Sequence, residues 1–159
     1  MEINKFLEEL DTLISKGDFV KAAEKFFTED IRTVNELDHS INGKDAKIES
    51  LKGLEESLAK VHSVKLVNQL VAGNTSFSEF NYHYEYHNGA QQSYGEIIKR
   101  EWDQEGKVIS EKYYKGAIDP VTLEPAKEKK TVAKKTTATK EATPAKEIKP
   151  KATKKATVK

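Results

Sequence analysis

The sequence predicts an α+β domain in which helices come first and antiparallel strands follow. Apolar residues recur at the 3.6-residue spacing of helices up to about His62, and they alternate with polar residues after it. The dipeptide Asn88-Gly89 separates two alternating segments, and Asn-Gly is the strongest short signal for a β-hairpin. Helices followed by hairpin-connected strands favour a layered α+β arrangement.

Three amphipathic segments predict three N-terminal helices. The first carries its apolar stripe over 3–14 and ends before Gly17, a residue typical of helix C-termini. The second follows Asp18, which is an N-cap type of residue, and ends at 28–30. The third opens after the turn at Asn42-Gly43, and its apolar edge consists of Leu51, Leu54, Leu58 and Val61.

Period-2 alternation predicts the strands. A short β-like segment lies at 31–37, between the second and third helices. After the third helix, turn dipeptides divide the alternating sequence into strands that end or begin at Gly73-Asn74, Asn88-Gly89 and Glu105-Gly106. The last strand is expected over 107–115.

Composition changes sharply at residue 119 and predicts two parts, a domain over 1–118 and a tail over 119–159. All 13 aromatic residues and all 8 glycines lie in the first part, whereas all 4 prolines and 12 lysines lie in the second. The net charges are −6 and +7, so the near-neutral whole chain is dipolar. A tail rich in Lys, Ala, Thr and Pro has too little apolar surface to offset its chain entropy, and we expect disorder there.

Several functional classes are excluded by composition. The absence of cysteine excludes disulfides, thiolate catalysis and cysteine-ligated metals. The acidic N-terminus does not resemble a signal peptide, and no segment has the roughly 20 apolar residues of a membrane span. We expect a soluble cytoplasmic protein without a membrane contact, and we expect no cofactor because the sequence has no Gly-rich phosphate loop.

Four landmarks resemble the SnoaL-like branch of the nuclear transport factor 2-like superfamily over about residues 1–116. They are Phe26-Phe27-Thr28-Glu29-Asp30-Ile31, Asn42-Gly43-Lys44-Asp45-Ala46, Trp102-Asp103-Gln104-Glu105-Gly106-Lys107-Val108 and Tyr113-Tyr114. The resemblance implies a cone, in which a strongly curved antiparallel sheet wraps three N-terminal helices and leaves a pocket at its wide end. Because members include isomerases, polyketide cyclases, dehydratases and proteins without chemistry, the fold does not assign a reaction.

Two sets of alternate strand residues are candidates for the pocket wall. Glu96 and Arg100 share a strand face with Tyr94 and Trp102, and their Cα atoms would lie about 13 Å apart, so they would hold opposite ends of one ligand. Tyr82 and Tyr84 form an aromatic stripe on the neighbouring strand, with hydroxyls able to donate to a ligand. The resemblance adds Tyr114 from the aromatic close of the last strand.

Glu96 is the candidate catalytic residue, because abstraction of a proton next to a carbonyl requires a base of tuned pKa. Many cyclase-like members of the resembled family carry an acid next to the aromatic close of the last strand. This chain has Tyr113-Tyr114-Lys115 there, which argues against cyclase chemistry.

The opposite face of the aromatic strand carries polar residues that we interpret as a homodimer face: Asn81, His83, Glu85 and His87. His83 and His87 are expected about 13 Å apart in a regular strand, too far to share one metal ion, so no metal site is expected.

Three functions remain open from the sequence. The preferred one is a domain that binds a small apolar or amphipathic molecule in the cone. The second is an isomerase- or cyclase-like enzyme that uses a pocket carboxylate. The third is a dimeric interaction protein whose tail neutralises phosphates of nucleic acid or another polyanion without reading sequence, through candidates Lys134, Lys135, Lys154 and Lys155.

Overall fold

The structure, a computed structural model, describes residues 2–118 and confirms the α+β class. Three helices and six strands lie within these residues. They are α1 (Ile3–Ser15), α2 (Phe19–Phe26), β1 (Phe27–Val34), β2 (Ser40–Asn42), α3 (Lys44–Ser57), β3 (Leu58–Ala72), β4 (Thr75–Tyr86), β5 (Gln91–Trp102) and β6 (Val108–Gly116). The predicted tail over 119–159, with Lys134, Lys135, Lys154 and Lys155, lies outside the described residues.

The strands form one curved, unclosed sheet in the order β2-β1-β6-β5-β4-β3. Strands β3 to β6 pair in antiparallel sequence through turns at Gly73-Asn74, Asn88-Gly89 and Glu105-Gly106, as predicted. The sheet is mixed rather than purely antiparallel, because β1 and β6 pair in parallel. Parallel neighbours need a long crossover connection, which here consists of everything from β2 to β5.

Two predicted helix ends are wrong by one turn. The second helix ends at Phe26, and Phe27 is already extended and pairs with Val108 of β6. The third helix ends at Ser57, so Leu58 and Val61 belong to β3. In each case, pairing with a neighbouring strand overrides the local helical spacing. Strand β2, which pairs with β1, was not predicted.

The core lies between the first two helices and one face of the sheet. Because successive strand residues point to opposite faces, alternate residues of β4 and β5 face the helices. The buried helix stripes consist of Ile3, Leu7, Leu10 and Ile14 in α1 and of Phe19, Ala22, Ala23 and Phe26 in α2. Sheet residues that meet them include Phe80, Tyr82, Tyr84, Ile98 and Trp102.

Helix α3 packs less completely than α1 and α2. Its leucines Leu51 and Leu54 are only partly buried, and Lys47 is its one residue that is fully buried. Since this helix does not fill the space over the sheet, a cavity remains beneath it.

Candidate functional site

The cavity lies between the three helices and the inner face of the sheet and has a volume of about 210 Å³. Apolar side chains from the helices form one part of its wall, among them Ile14, Phe19, Ala22, Leu51 and Leu54. Most of the remaining wall consists of tyrosines and charged groups of the sheet and α3, namely Tyr82, Tyr84, Tyr94, Tyr113, Glu96, Glu111 and Lys47. The lining is therefore amphipathic.

The polar part of the wall faces a second depression of about 230 Å³. Both spaces are lined by the same four residues, Lys47, Ser50, Glu96 and Tyr113. Residues such as Asn35 and His39, which are exposed in the segment after β1, line the second depression. The charged end of the cavity is thus the end nearest solvent.

Strand register brings the sheet residues of the site together. Tyr82 of β4 lies opposite Tyr94 of β5, and Phe80 lies opposite Glu96. On the next strand, Tyr113 of β6 lies opposite Ile98. Residues directly opposite one another in antiparallel strands point to the same face, so these side chains all face the helices.

Three tyrosines form a packed cluster in the wall. The rings of Tyr82 and Tyr94 stack with centroids 4.9 Å apart, and Tyr84 lies edge-on to Tyr94 at 6.0 Å. Burial, with a smaller effect from the nearby carboxylate of Glu96, raises the pKa of both Tyr82 and Tyr94 well above the ordinary value. Their hydroxyls therefore stay protonated at neutral pH and serve as hydrogen-bond donors.

Glu96 is the titratable group of this wall that responds near neutral pH. Burial raises its pKa from 4.5 to about 7, and the negative charge of Glu111 adds to the effect. The ammonium group of Lys47 and a hydrogen bond from Tyr82 oppose the shift without cancelling it. Near pH 7 the carboxyl group is therefore poised between its acid and base forms.

A buried ion network lies beside the cavity. Arg100 donates from Nη1 to Oδ1 of Asp11 at 3.2 Å and from Nε to Oε1 of Glu111 at 3.1 Å. Lys47 places its Nζ 3.5 Å from Oε2 of Glu111, and it donates to the hydroxyl of Tyr113 at 3.0 Å. Burial alone would raise the pKa of Glu111, but Lys47 and Arg100 together hold it below the ordinary value.

The predicted pocket residues separate into two groups. Tyr82, Tyr84, Tyr94 and Glu96 line the cavity. Arg100, Trp102 and Tyr114 do not line it. Glu96 and Arg100 therefore do not face one ligand, because α1 covers the far end of β5 and supplies Asp11 as the partner of Arg100.

Trp102 and Tyr114 are absent from the cavity wall for local reasons. Trp102 packs edge-on against Phe26 and donates from Nε1 to Oγ of Ser76 at 2.8 Å, so it belongs to the core. Tyr114 points to the opposite face of β6 and is 41% exposed, whereas its neighbour Tyr113 lines the cavity.

Of the proposed dimer face, Asn81 is covered by its own chain. It is buried and donates from Nδ2 to the carbonyl oxygen of Ala117 at 2.9 Å. His83 stacks on His62 with ring centroids 4.5 Å apart, and Glu85 is hydrogen-bonded to His62 at 3.0 Å. His87 is exposed at the β4–β5 turn. Asn81 is thus removed from the predicted face, and the other three stay candidates.

Four residues of the site and its network were missed by the sequence analysis: Asp11, Lys47, Glu111 and Tyr113. For two of them a signal exists. Asp11 follows Leu7 by four residues on the buried stripe of α1, and Lys47 precedes Leu51 by four on the apolar edge of α3. A charge inside an apolar stripe indicates a buried charge that needs a partner.

Within residues 2–118 there is no group of three or more His, Cys, Asp or Glu side chains arranged to hold a metal ion. In the same part of the chain, no helix is both long enough and apolar enough to cross a membrane.

Three solved structures are similar to the described domain over nearly their whole lengths. A protein described as a SnoaL-like polyketide cyclase from Mesorhizobium loti has a TM-score of 0.64 and 22% identity, with 72% of this chain and 99% of that chain covered. A second protein of that description, from Jannaschia sp., has a TM-score of 0.62 and 15% identity, covering 72% and 88%. An NTF2-like protein of unknown function from Burkholderia pseudomallei has a TM-score of 0.61 and 11% identity, covering 73% and 92%.

The domain has the SnoaL-like, nuclear transport factor 2-like fold. This confirms the fold expected from the resemblance. No protein-family model matches the sequence, and no curated protein matches it either. At these identities the likeness concerns the fold alone and assigns no activity.

Proposed function

We propose that the domain binds a small amphipathic molecule in the cavity under α3. The observation that carries the proposal is the divided lining, with apolar side chains from the helices on one side and Glu96, Lys47 and Tyr113 at the outer end. The apolar part of the ligand would lie against Phe19, Leu51 and other helix residues, while its polar group would meet the charged end.

The volume limits the ligand. About 210 Å³ is smaller than the roughly 300–1,000 Å³ of pockets for drug-sized molecules. A single ring or a short branched chain fits this space, and a larger molecule would have to extend into the neighbouring depression past Ser50 and Tyr113.

Native mass spectrometry of the gently purified full-length chain tests this proposal. A reproducible extra mass on the wild type is expected, together with its loss when the cavity is filled by Leu54→Trp. The matched control is Ile109→Trp, because Ile109 is 40% exposed and lies outside the cavity wall. If wild type and both variants all carry no ligand, and a screen of small cyclic molecules produces no thermal shift, the proposal is wrong.

A second candidate function is acid–base catalysis, and one observation favours it. The pKa of Glu96 is about 7, which suits a general base at neutral pH, and the protonated hydroxyl of Tyr94 is a donor for a developing oxyanion. This arrangement would support removal of a proton next to a carbonyl group.

Deuterium incorporation next to the carbonyl of a small cyclic ketone in D₂O, followed by NMR, tests the catalytic function. Glu96→Gln should reduce the exchange rate by roughly 10²–10⁴-fold. The same substitution at Glu101, which lies on β5 but not in the cavity wall, should leave the rate unchanged. Deuterium exchange no faster than in buffer would contradict the catalytic function and leave the binding function standing.

We further propose a homodimer through the outer face of the sheet. On this face an apolar depression is lined by Leu70, Phe77 and Ile97 among polar neighbours, on the same side of the sheet as the predicted residues His83 and Glu85. Sedimentation velocity of the full chain at micromolar concentration should yield a dimer that Leu70→Glu dissociates. A monomer under these conditions contradicts the proposal.

Contact of the tail lysines with a polyanion and a cytoplasmic location stay predictions from the sequence.

A further inference from the structure

The charged groups at the cavity and its adjoining network do not balance. Three buried or half-buried carboxylates, Asp11, Glu96 and Glu111, face two cations, Lys47 and Arg100. Arg100 contacts Asp11 and Glu111, while Lys47 contacts Glu111 and the Tyr113 hydroxyl. Glu96, which lines the cavity and its outer end, thus has the charge of Lys47 nearby but no hydrogen bond or ion pair with either cation among the described contacts.

We propose that the ligand carries a positive charge, as a small organic ammonium group, and that this group sits against Glu96. The inference rests on the proposed binding function and specifies its ligand. An ionised carboxylate inside a cavity is costly unless a cation pairs with it, and an ammonium ligand would supply that cation. A neutral or anionic ligand would leave Glu96 either uncompensated or protonated.

The aromatic wall suits a cation as well. Tyr82 and Tyr94 lie beside Glu96, and the electron-rich faces of tyrosine rings attract ammonium groups. The structure already contains such a contact at this end of the cavity, where Nζ of Lys47 lies 4.7 Å from the centroid of the Tyr113 ring. An anionic ligand would instead have to compete with Glu111 for Lys47.

Cation binding also predicts a proton signature. The groups that act most strongly on Glu96 are Lys47 from α3, Glu111 from β6, Tyr82 from β4 and Glu36 from the segment after β1, and the exposed Lys115 lies opposite it on β6. Since the pKa of Glu96 is about 7, part of the population is protonated at pH 6.5, and an ammonium ligand would displace that proton. A neutral ligand would not.

Isothermal titration of the full-length protein with three probes of one ring size tests the inference: cyclohexylamine, cyclohexanol and cyclohexanecarboxylate. The ammonium probe should bind about tenfold more tightly than the alcohol, and the carboxylate should bind least. Titrations at pH 6.5 in two buffers of different ionisation enthalpy should show proton release with the ammonium probe alone.

Two variants separate the outcomes. Glu96→Gln should abolish both the preference for the ammonium probe and the proton release while cyclohexanol still binds. Glu101→Gln on the same strand should behave as wild type. If cyclohexanol binds as tightly as the amine, the inference is wrong and the binding function stands. If none of the three probes binds but native mass spectrometry shows a retained ligand, the inference is wrong and the binding function stands. If no ligand is retained either, both are wrong.

Discussion

The guanidinium group of Arg100 donates from Nε to Oε1 of Glu111 at 3.1 Å, and both side chains are fully buried. Arg100 of β5 and Glu111 of β6 lie directly across from each other in the strand register, so the pair joins the two strands. Through Nη1 the same arginine reaches Asp11 of α1. One side chain thereby fixes the position of a helix and of the strand that supplies Tyr113 to the cavity.

Removal of this cation is expected to be severe. Arg100→Met leaves Asp11 and Glu111 buried without their common partner, which should lower the free energy of unfolding by about 3–5 kcal/mol. Urea denaturation followed by tryptophan fluorescence measures the change, since the single Trp102 lies in the core. Lys112→Met, which breaks the exposed pair with Asp38, should cost only about 0–1 kcal/mol. Equal losses of unfolding free energy in Arg100→Met and Lys112→Met would contradict the structural role of the buried arginine.

Glu96 should make stability depend on pH in a defined window. Its folded pKa of about 7 lies above the ordinary 4.5, so the folded state binds a proton that the unfolded chain releases. Its contribution to stability therefore falls as pH rises from 4.5 to 7 and is level outside that range. The free energy of unfolding of wild type relative to Glu96→Gln should fall by about 3 kcal/mol across this window.

Urea midpoints at pH 4.5, 6 and 8 measure that difference. Glu101→Gln, at a partly exposed position on the same strand, should track the wild type throughout. A difference between wild type and Glu96→Gln that is the same at all three values would show that Glu96 titrates normally.

Adjacent tyrosines of β6 should respond oppositely to loss of their hydroxyl groups. The hydroxyl of Tyr113 donates to Oε2 of Glu111 at 3.0 Å and accepts from Lys47. Tyr113→Phe should therefore cost about 1–3 kcal/mol, because it leaves charged groups under-satisfied. Tyr114→Phe should be neutral, since that ring is exposed. Thermal unfolding of the two variants provides the comparison, and matching melting temperatures would contradict it.

Two glycines should respond oppositely to alanine. At Gly95 an added Cβ would collide with the carbonyl of Ala117, which also accepts the Asn81 hydrogen bond. Gly95→Ala should therefore cost about 1–3 kcal/mol and increase amide exchange at residues 116–118. At Gly53, in the middle of α3, nothing lies within 4 Å, so alanine should add about 0.5–1 kcal/mol of stability. Urea denaturation measures both, and stabilisation by Gly95→Ala would count against the packing of the C-terminal segment.

The sequence was sufficient for features that depend on local chemistry. Turn dipeptides such as Asn88-Gly89 located the hairpins, since a positive φ at Gly89 is inexpensive only for glycine. Alternation placed Tyr82, Tyr84 and Glu96 on one face. The ends of α2 and α3 could not be predicted, because Phe27 and Leu58 become strand residues only when β6 and β4 are present to pair with them.

The assignment of pocket residues failed where partners come from distant elements. Nothing near Arg100 in the sequence reveals that Asp11, 89 residues away, neutralises it. The choice between Tyr113 and Tyr114 depends on which face of β6 turns inward, and one residue of register reverses that choice.

The parallel pairing of β1 with β6 has a kinetic consequence. Thr33 and Glu111 meet in that register, so the sheet is completed by strands from opposite ends of the domain. Such a late, non-local closure costs loop entropy before it yields any contact energy. We expect the β3–β6 hairpins to assemble early and the docking of β1 to limit the folding rate. The cavity would then take shape only in the last step, because Phe27, which begins β1, forms part of its wall.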